Sequence, residues 1–173
     1  AHKNMYLNDQ GDVINNITLV GGQAAGVPGT VAGFWEAHQR FGQLPWKDLV
    51  QPAIELADKG FVPAPILVES IHSMEQRFEG KTNFNDYFNS ISSDSLFRQP
   101  ELANTLRRIA EFGADDFYRG ETAALIVQQM EKSNGLISLE DLDAYSAVWR
   151  APVRAGWRDY EIISAPPPSS GGF

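Results

Sequence analysis

From Val31 to Tyr145 the apolar residues return at helical intervals, and glycine or proline punctuates nearly every run. No other feature of the chain constrains its fold as tightly, because a 3.6-residue period commits a segment to presenting one apolar stripe. Val31, Phe34, Trp35, His38 and Phe41 form the first run, with Thr30 as its N-cap and Gly42 closing it. The second reads from about Pro45 to Asp58, with Leu49, Ala53 and Leu56 as its stripe and Ile54 beside it. Pro52 lies inside that span, so a kink or two short helices are expected there, and Gly60 is the stop. Pro63 and Pro65 open a third run carrying Ile66, Leu67, Ile71, Met74 and Phe78, ended by Gly80. A fourth starts near Pro100 and carries Leu102, Leu106, Ile109 and Phe112 up to Gly113. A turn over 115–120 leads to a fifth with Ala124, Ile126, Val127 and Met130, stopped at Asn134-Gly135. Ser138-Leu139-Glu140-Asp141 resembles a capping box, with Asp in place of Glu or Gln, and opens a short helix to about Tyr145.

The period then changes. Residues 148–155 and 159–164 alternate loosely about Gly156-Trp157-Arg158, which predicts a hairpin or two neighbouring strands. Residues 1–27 are polar, with a turn over Asn8–Asp12, and the stretch 81–97 reads as a polar loop dotted with aromatics. The expected class is mainly α with a small C-terminal β element (α+β). It is one unit spanning residues 1–173, helical over about 28–146 and a β hairpin over about 147–165. Ala1 at the front and Ser164-Ala-Pro-Pro-Pro-Ser-Ser-Gly-Gly-Phe173 at the back read as cuts on both sides of a longer chain. Pro166–Pro168 is expected to be an extended exit, and Ser169–Gly172 a cap before a further helix.

Composition removes whole classes of function. A formal net charge of −8 would repel phosphate, so neither nucleic acid nor an anionic membrane is an expected partner. No apolar run approaches 18 residues, and none can span a bilayer. Four Trp and ten Phe argue for a packed core rather than disorder. The absence of cysteine excludes disulfides, thiolate metal sites and cysteine nucleophiles, and is compatible with cytoplasm or periplasm alike.

Candidate chemistry is sparse. His2, His38 and His72 never pair at metal-ligand spacing; His72 has Glu69 and Glu75 a turn away on either side, a common arrangement on solvated helices. Ser169-Ser170 beside two glycines has no base near it. Gly21-Gly22-Gln23-Ala24-Ala25-Gly26 is rich enough in glycine to cradle an anion, but no Lys follows and no βαβ pattern supports it, so it reads as a structural loop. Asp115, Asp116, Glu140, Asp141 and Asp143 sit in helix starts or loops and read as solvated charges. No catalytic, substrate-binding or metal-ligating residue is assigned, and no cofactor is implied.

Five phrases in order carry more information than any single motif. Ala25-Gly26-Val27-Pro28-Gly29-Thr30-Val31-Ala32-Gly33-Phe34 resembles a signature of the gamma-glutamyltranspeptidase family. Behind it come VQPAIELADKGF at 50–61, FYRG at 117–120, GLISLEDLDAY at 135–145 and PPPSSGG at 166–172. The resemblance runs from near residue 5 to the end of the chain and corresponds to an inner part of the family's large subunit.

It implies a great deal. Family members cleave themselves into a large and a small subunit, and move or hydrolyse a γ-glutamyl group, as from glutathione, through an acyl-enzyme. The nucleophile is a threonine at the small subunit's new N-terminus, whose own amine can act as base. The fold is the N-terminal-nucleophile hydrolase sandwich, two sheets between helical layers. Partners implied are the small catalytic subunit from the same precursor and γ-glutamyl small molecules. A periplasmic or extracellular location is implied as well. Thr18, Thr30, Thr82, Thr105 and Thr122 do not lie in a stretch like the cleavage site, and no arginine precedes Met5-Tyr6-Leu7 where the family's carboxylate-binding arginine is expected. The chain alone is therefore expected to be inactive, and to associate with itself through an exposed β edge. A related acylase or poly-γ-glutamate enzyme, and a stand-alone helical binding module, are the alternatives.

Overall fold

Helices begin and end where small or constrained residues allow it. The computed structural model describes residues 2–170. Its helices are α1 (Thr30–Phe41), α2 (Trp46–Lys59), α3 (Pro65–Phe78), α4 (Phe84–Phe88), α5 (Pro100–Phe112), α6 (Ala114–Arg119), α7 (Glu121–Lys132) and α8 (Leu139–Asp143), followed by strands β1 (Val153–Trp157) and β2 (Tyr160–Ser164). Pro65 and Pro100 sit in first turns, where a missing amide costs nothing. At the start of α8 the capping box forms in full: Ser138 Oγ accepts from the Asp141 amide, and the Asp141 carboxylate accepts from the Ser138 amide. Asp reaches as well as Glu would here, and these bonds hold its carboxyl below the usual range.

Several expectations need correction. Gly29, not Thr30, occupies the N-cap of α1, and no side chain caps that end. The span through Pro52 is the single helix α2 rather than two short ones, because Pro52 and Asp48 are both exposed and water can satisfy the carbonyl the proline leaves unpaired. Residues 114–119 form a helix rather than a turn, and 84–88 form a short helix inside the expected loop. The hairpin turns at Arg158-Asp159, with Arg158 left-handed at φ 53°, so Gly156 and Trp157 belong to β1, and 148–152 precede it. At the C-terminal end the Ser169 amide donates to the Pro166 carbonyl at 3.1 Å, which makes 166–169 a turn instead of an extended exit. Gly171 and Gly172 lie outside the described residues.

Two apolar centres organise the helices. In the first, α2 packs on α5 through Ile54, Ala57, Ala103, Ile109 and Ala110. Three alanines let the two backbones approach closely. The larger residues expected to form these stripes, Leu49, Leu56, Leu102 and Phe112, are exposed instead. In the second, Ala32 of α1, Tyr118 of α6, Ala123 of α7, Leu142 of α8 and Ile137 from the loop before α8 converge, with Val127, Met130 and Tyr145 against them.

Between the centres stands an aromatic joint. Trp46 lies edge-on to Trp35 at 5.2 Å and donates its indole N–H to the Ile109 carbonyl at 2.8 Å. Further out, Arg40 lies over the rings of Phe41 and Trp149, 5.1 and 4.7 Å from their centroids. This contact ties the strand-ward segment to α1, while no helix packs extensively on the hairpin.

The two strands pair antiparallel from Val153 opposite Ser164 to Trp157 opposite Tyr160. Val153, Ala155 and Trp157 share one face with Tyr160 and Ile162, since successive side chains alternate. That face is uncovered: Trp157 is 54% exposed and Tyr160 69%. The whole chain exposes 12265 Å², whereas a closed monomer of 19.1 kDa is expected to expose only about 8,400 Å². Roughly 3,900 Å² more surface than a self-contained globule needs therefore faces solvent, much of it apolar.

Candidate functional site

The glycine loop before α1 is where the longest-range contacts meet. Tyr118 on α6 donates its hydroxyl to the Pro28 carbonyl at 2.6 Å and accepts the Ala32 amide at 3.2 Å. One phenol thus holds the last turn of the loop and the first turn of α1. Tyr145 stacks on Tyr118, rings 5.5 Å apart and 7° from parallel, and its hydroxyl occupies the space a β-carbon on Gly29 would need. At the other end Gly22 is pressed against Ser133 and Gly135, leaving no room for a side chain. Gly21, at φ 100°, has nothing beside it and faces open space.

Burial pushes the Tyr118 phenol above its usual value. Its neutral form is thus favoured more in the folded chain than in the unfolded one. The associated stability is present below about pH 10 and erodes as pH rises beyond it. Thermal melts from pH 8 upward should fall more steeply for the native chain than for Tyr118→Phe. Equal slopes would overturn the assignment.

That loop forms one wall of a cleft of about 780 Å³, within the size of ordinary small-molecule sites. Lys81 of the α3–α4 turn, Asp86 and Tyr87 of α4, and the end of α7 (Gln129, Lys132) form the others. A second groove of about 400 Å³ runs between α2 and α5.

The structure scatters the other residues singled out by sequence. His38 donates Nε2–H to the Leu44 carbonyl at 2.8 Å and packs against Trp46. His72 approaches Glu75 at 3.8 Å on α3, and His2 accepts the Asn4 amide. No group of three metal-ligating side chains occurs among the described residues. Asp115 and Asp143 both pair with Arg119 at the surface.

Asp116 departs from the expected solvated charge. It is 7% exposed and forms a buried network with Arg108 and Thr122. The Thr122 hydroxyl donates to its carboxylate, the Glu121 amide donates to it at 3.1 Å, and Arg108 Nε bonds Asp116 at 3.3 Å and Thr122 at 3.1 Å. Neither this network nor the role of Tyr118 was visible to sequence reasoning, because both depend on residues brought together only by the packing of α5, α6 and α7.

These arrangements clamp the glycine loop and lock α5, α6 and α7 together. Comparison with known proteins decides what architecture it is. The gamma-glutamyltranspeptidase family model matches residues 1–173. The chain belongs to the gamma-glutamyltranspeptidase family. Over 173 residues it is 52% identical to a glutathione hydrolase proenzyme of Pseudomonas aeruginosa, covering all of this chain and 31% of that protein. Among solved structures, a gamma-glutamyltranspeptidase from Pseudomonas nitroreducens complexed with L-DON superposes with a TM-score of 0.95 at 53% identity, covering 99% of this chain and 51% of that one. The Helicobacter pylori gamma-glutamyltranspeptidase gives 0.94 at 40% identity over the same shares. The chain thus spans about a third of the length of the curated relatives it matches. Its mainly helical body with a small β element is part of an N-terminal-nucleophile hydrolase fold.

Proposed function

We propose that residues 1–173 act as one unit of the large subunit of a gamma-glutamyltranspeptidase, an enzyme that transfers or hydrolyses γ-glutamyl groups of glutathione-type substrates through a threonine acyl-enzyme. The observation that carries this reading is 52% identity to a glutathione hydrolase proenzyme across the whole chain, together with superposition on a solved transpeptidase at TM-score 0.95. In this reading the nucleophile belongs to the small subunit from the same precursor, and the helices and clamped glycine loop supply the frame against which it works. A periplasmic or extracellular location goes with the same reading; no helix among the described residues is long and apolar enough to cross a membrane.

Surplus surface supports a large partner. An excess of about 3,900 Å² on one side exceeds what a transient interface buries, and goes with burial against the rest of the large subunit as well as the small one. The hairpin's apolar face and free edges are its natural centre. Without that partner, the 173-residue chain is expected to associate with itself through the hairpin, and light scattering after size exclusion should report dimers or larger species. Trp157→Lys with Ile162→Lys should return it to monomer. A native chain that stays monomeric at high concentration would count against the edge.

Activity gives the direct test. A chromogenic γ-glutamyl anilide should not be turned over by the 173-residue chain, and should be turned over by the polypeptide its complete gene encodes, after that polypeptide splits in two. Turnover by the purified chain, or none by an intact and processed gene product, would overturn the reading.

A further inference from the structure

Only one asparagine in the chain is followed by glycine, and that pair, Asn134-Gly135, stands where the end of α7 meets the glycine loop. The dipeptide carries chemistry of its own. A glycine amide nitrogen, unhindered by a side chain, can attack the side-chain carbonyl carbon of the asparagine before it. Whether it does so depends on the backbone, and here the backbone is held. Asn134 takes the left-handed conformation at φ 53°, and the Gly135 amide donates to the Met130 carbonyl at 2.7 Å, the bond that closes a Schellman turn on α7. An amide engaged in that bond is not presented to Asn134 Cγ.

A second restraint comes from far along the chain. Gly22 is buried against this turn: a β-carbon on it would lie 2.7 Å from the Ser133 carbonyl oxygen and 2.8 Å from Gly135 Cα. Met130 fills the space beside Gly135, and the Ser133 hydroxyl donates to the Gln129 carbonyl at 2.8 Å. The turn is thus reactive by composition and restrained by the seating of the glycine loop, while Asn134 is exposed to the water its reaction needs.

We propose that Asn134-Gly135 is a self-modification site gated by the glycine loop, shut while Gly22 is seated and free to cyclise when the loop lifts. Gly135 N bonds to Asn134 Cγ, the Cγ–Nδ2 bond breaks, and ammonia leaves with the proton of the glycine amide. Water then opens the cyclic imide at either carbonyl, giving aspartate or isoaspartate. Neither product restores the original turn. Isoaspartate adds a methylene to the main chain between Asn134 Cα and Gly135 N, which moves the amide off Met130 and Gly135 off Gly22. Aspartate places negative charge at the C-terminal end of α7, where the helix dipole is already negative. The modification therefore records an opening of the loop and makes it permanent. It rests on the geometry of this turn and not on the enzymatic reading, and its test needs no turnover.

Peptide mapping by mass spectrometry, after incubation at mildly alkaline pH in water enriched in heavy oxygen, reads the reaction, because the acid formed keeps the label. The folded chain should convert Asn134 at least about tenfold more slowly than the same chain unfolded in urea. Gly22→Ala, which unseats the loop, should close most of that gap. Asn134→Gly, which suits the left-handed turn, should take up no label there and melt no lower than the native chain. Hydrogen exchange gives a reading that does not depend on Gly22→Ala folding. In the aged, isoaspartyl chain the amides of residues 22–25 and of Gly135 should exchange faster than in the native one. Equal conversion in the folded and unfolded chains, a folded Gly22→Ala that converts at the native rate, or an isoaspartyl chain whose loop exchanges as slowly as the native loop, would each overturn the gate.

Discussion

Asp116→Ala is expected to lower stability by about 3 kcal/mol or more, the effect of breaking a buried charge pair from one side. The substitution removes the acceptor for the Thr122 hydroxyl, the Glu121 amide and Arg108 Nε together. Arg108, whose side chain is 18% exposed, is then left with Thr105, Thr122 and the exposed Glu121 as partners. Since the network joins α5, α6 and α7, the loss should appear as one cooperative shift in a thermal melt. A double variant, Arg108→Met with Asp116→Leu, separates charge from packing. Removing both charges leaves no unpaired ion, so it should recover a large part of the deficit. Asp116→Ala melting within about 0.5 kcal/mol of the native chain would show that water replaces the network.

Gly113→Ala should be comparably severe for an unrelated reason. Gly113 ends α5 and begins α6 at φ 66°, ψ −140°, a combination open almost only to glycine. A β-carbon there would also lie 2.7 to 2.9 Å from three atoms of the Trp35 indole. Backbone strain of about 1–3 kcal/mol and displacement of Trp35 add together. Displacing Trp35 would disturb its edge contact with Trp46, so the intrinsic fluorescence should change along with the melting temperature. Unaltered emission and stability would mean that the α5–α6 corner can re-form around a side chain.

These two positions show how far sequence could be read. Glycine at 113 marked the end of a helix correctly, because a chain break in the 3.6-residue period is a local property. Helix starts at Pro65 and Pro100 and the capping box at Ser138 were legible for the same reason. What could not be read was which face each helix buries. Leu49, Leu56, Leu102 and Phe112 have the larger apolar side chains, yet α2 and α5 meet through Ala57, Ala103 and Ala110. The stripe of large residues is real, but it points away from this chain's own core. Asp116 was hidden similarly, since its burial depends on Arg108, eight residues earlier on α5, and on Thr122 closing over it. The hairpin turn moved by two residues because Arg158 takes a left-handed conformation that glycine or asparagine usually signals. The family signature around Gly29 was legible as a phrase, while its mechanical reason, the paired rings of Tyr118 and Tyr145, lies some ninety residues or more further along.

Arg40, held between Phe41 and Trp149, has a consequence for assembly. A swivel built from one guanidinium and two rings resists separation but tolerates tilt, because the attraction of a cation to a ring face varies gently with angle. The strands can therefore be re-aimed without reopening either helical centre. A partner seated on the ribbon would then set its pitch while the packing of α2 on α5 stays as it is.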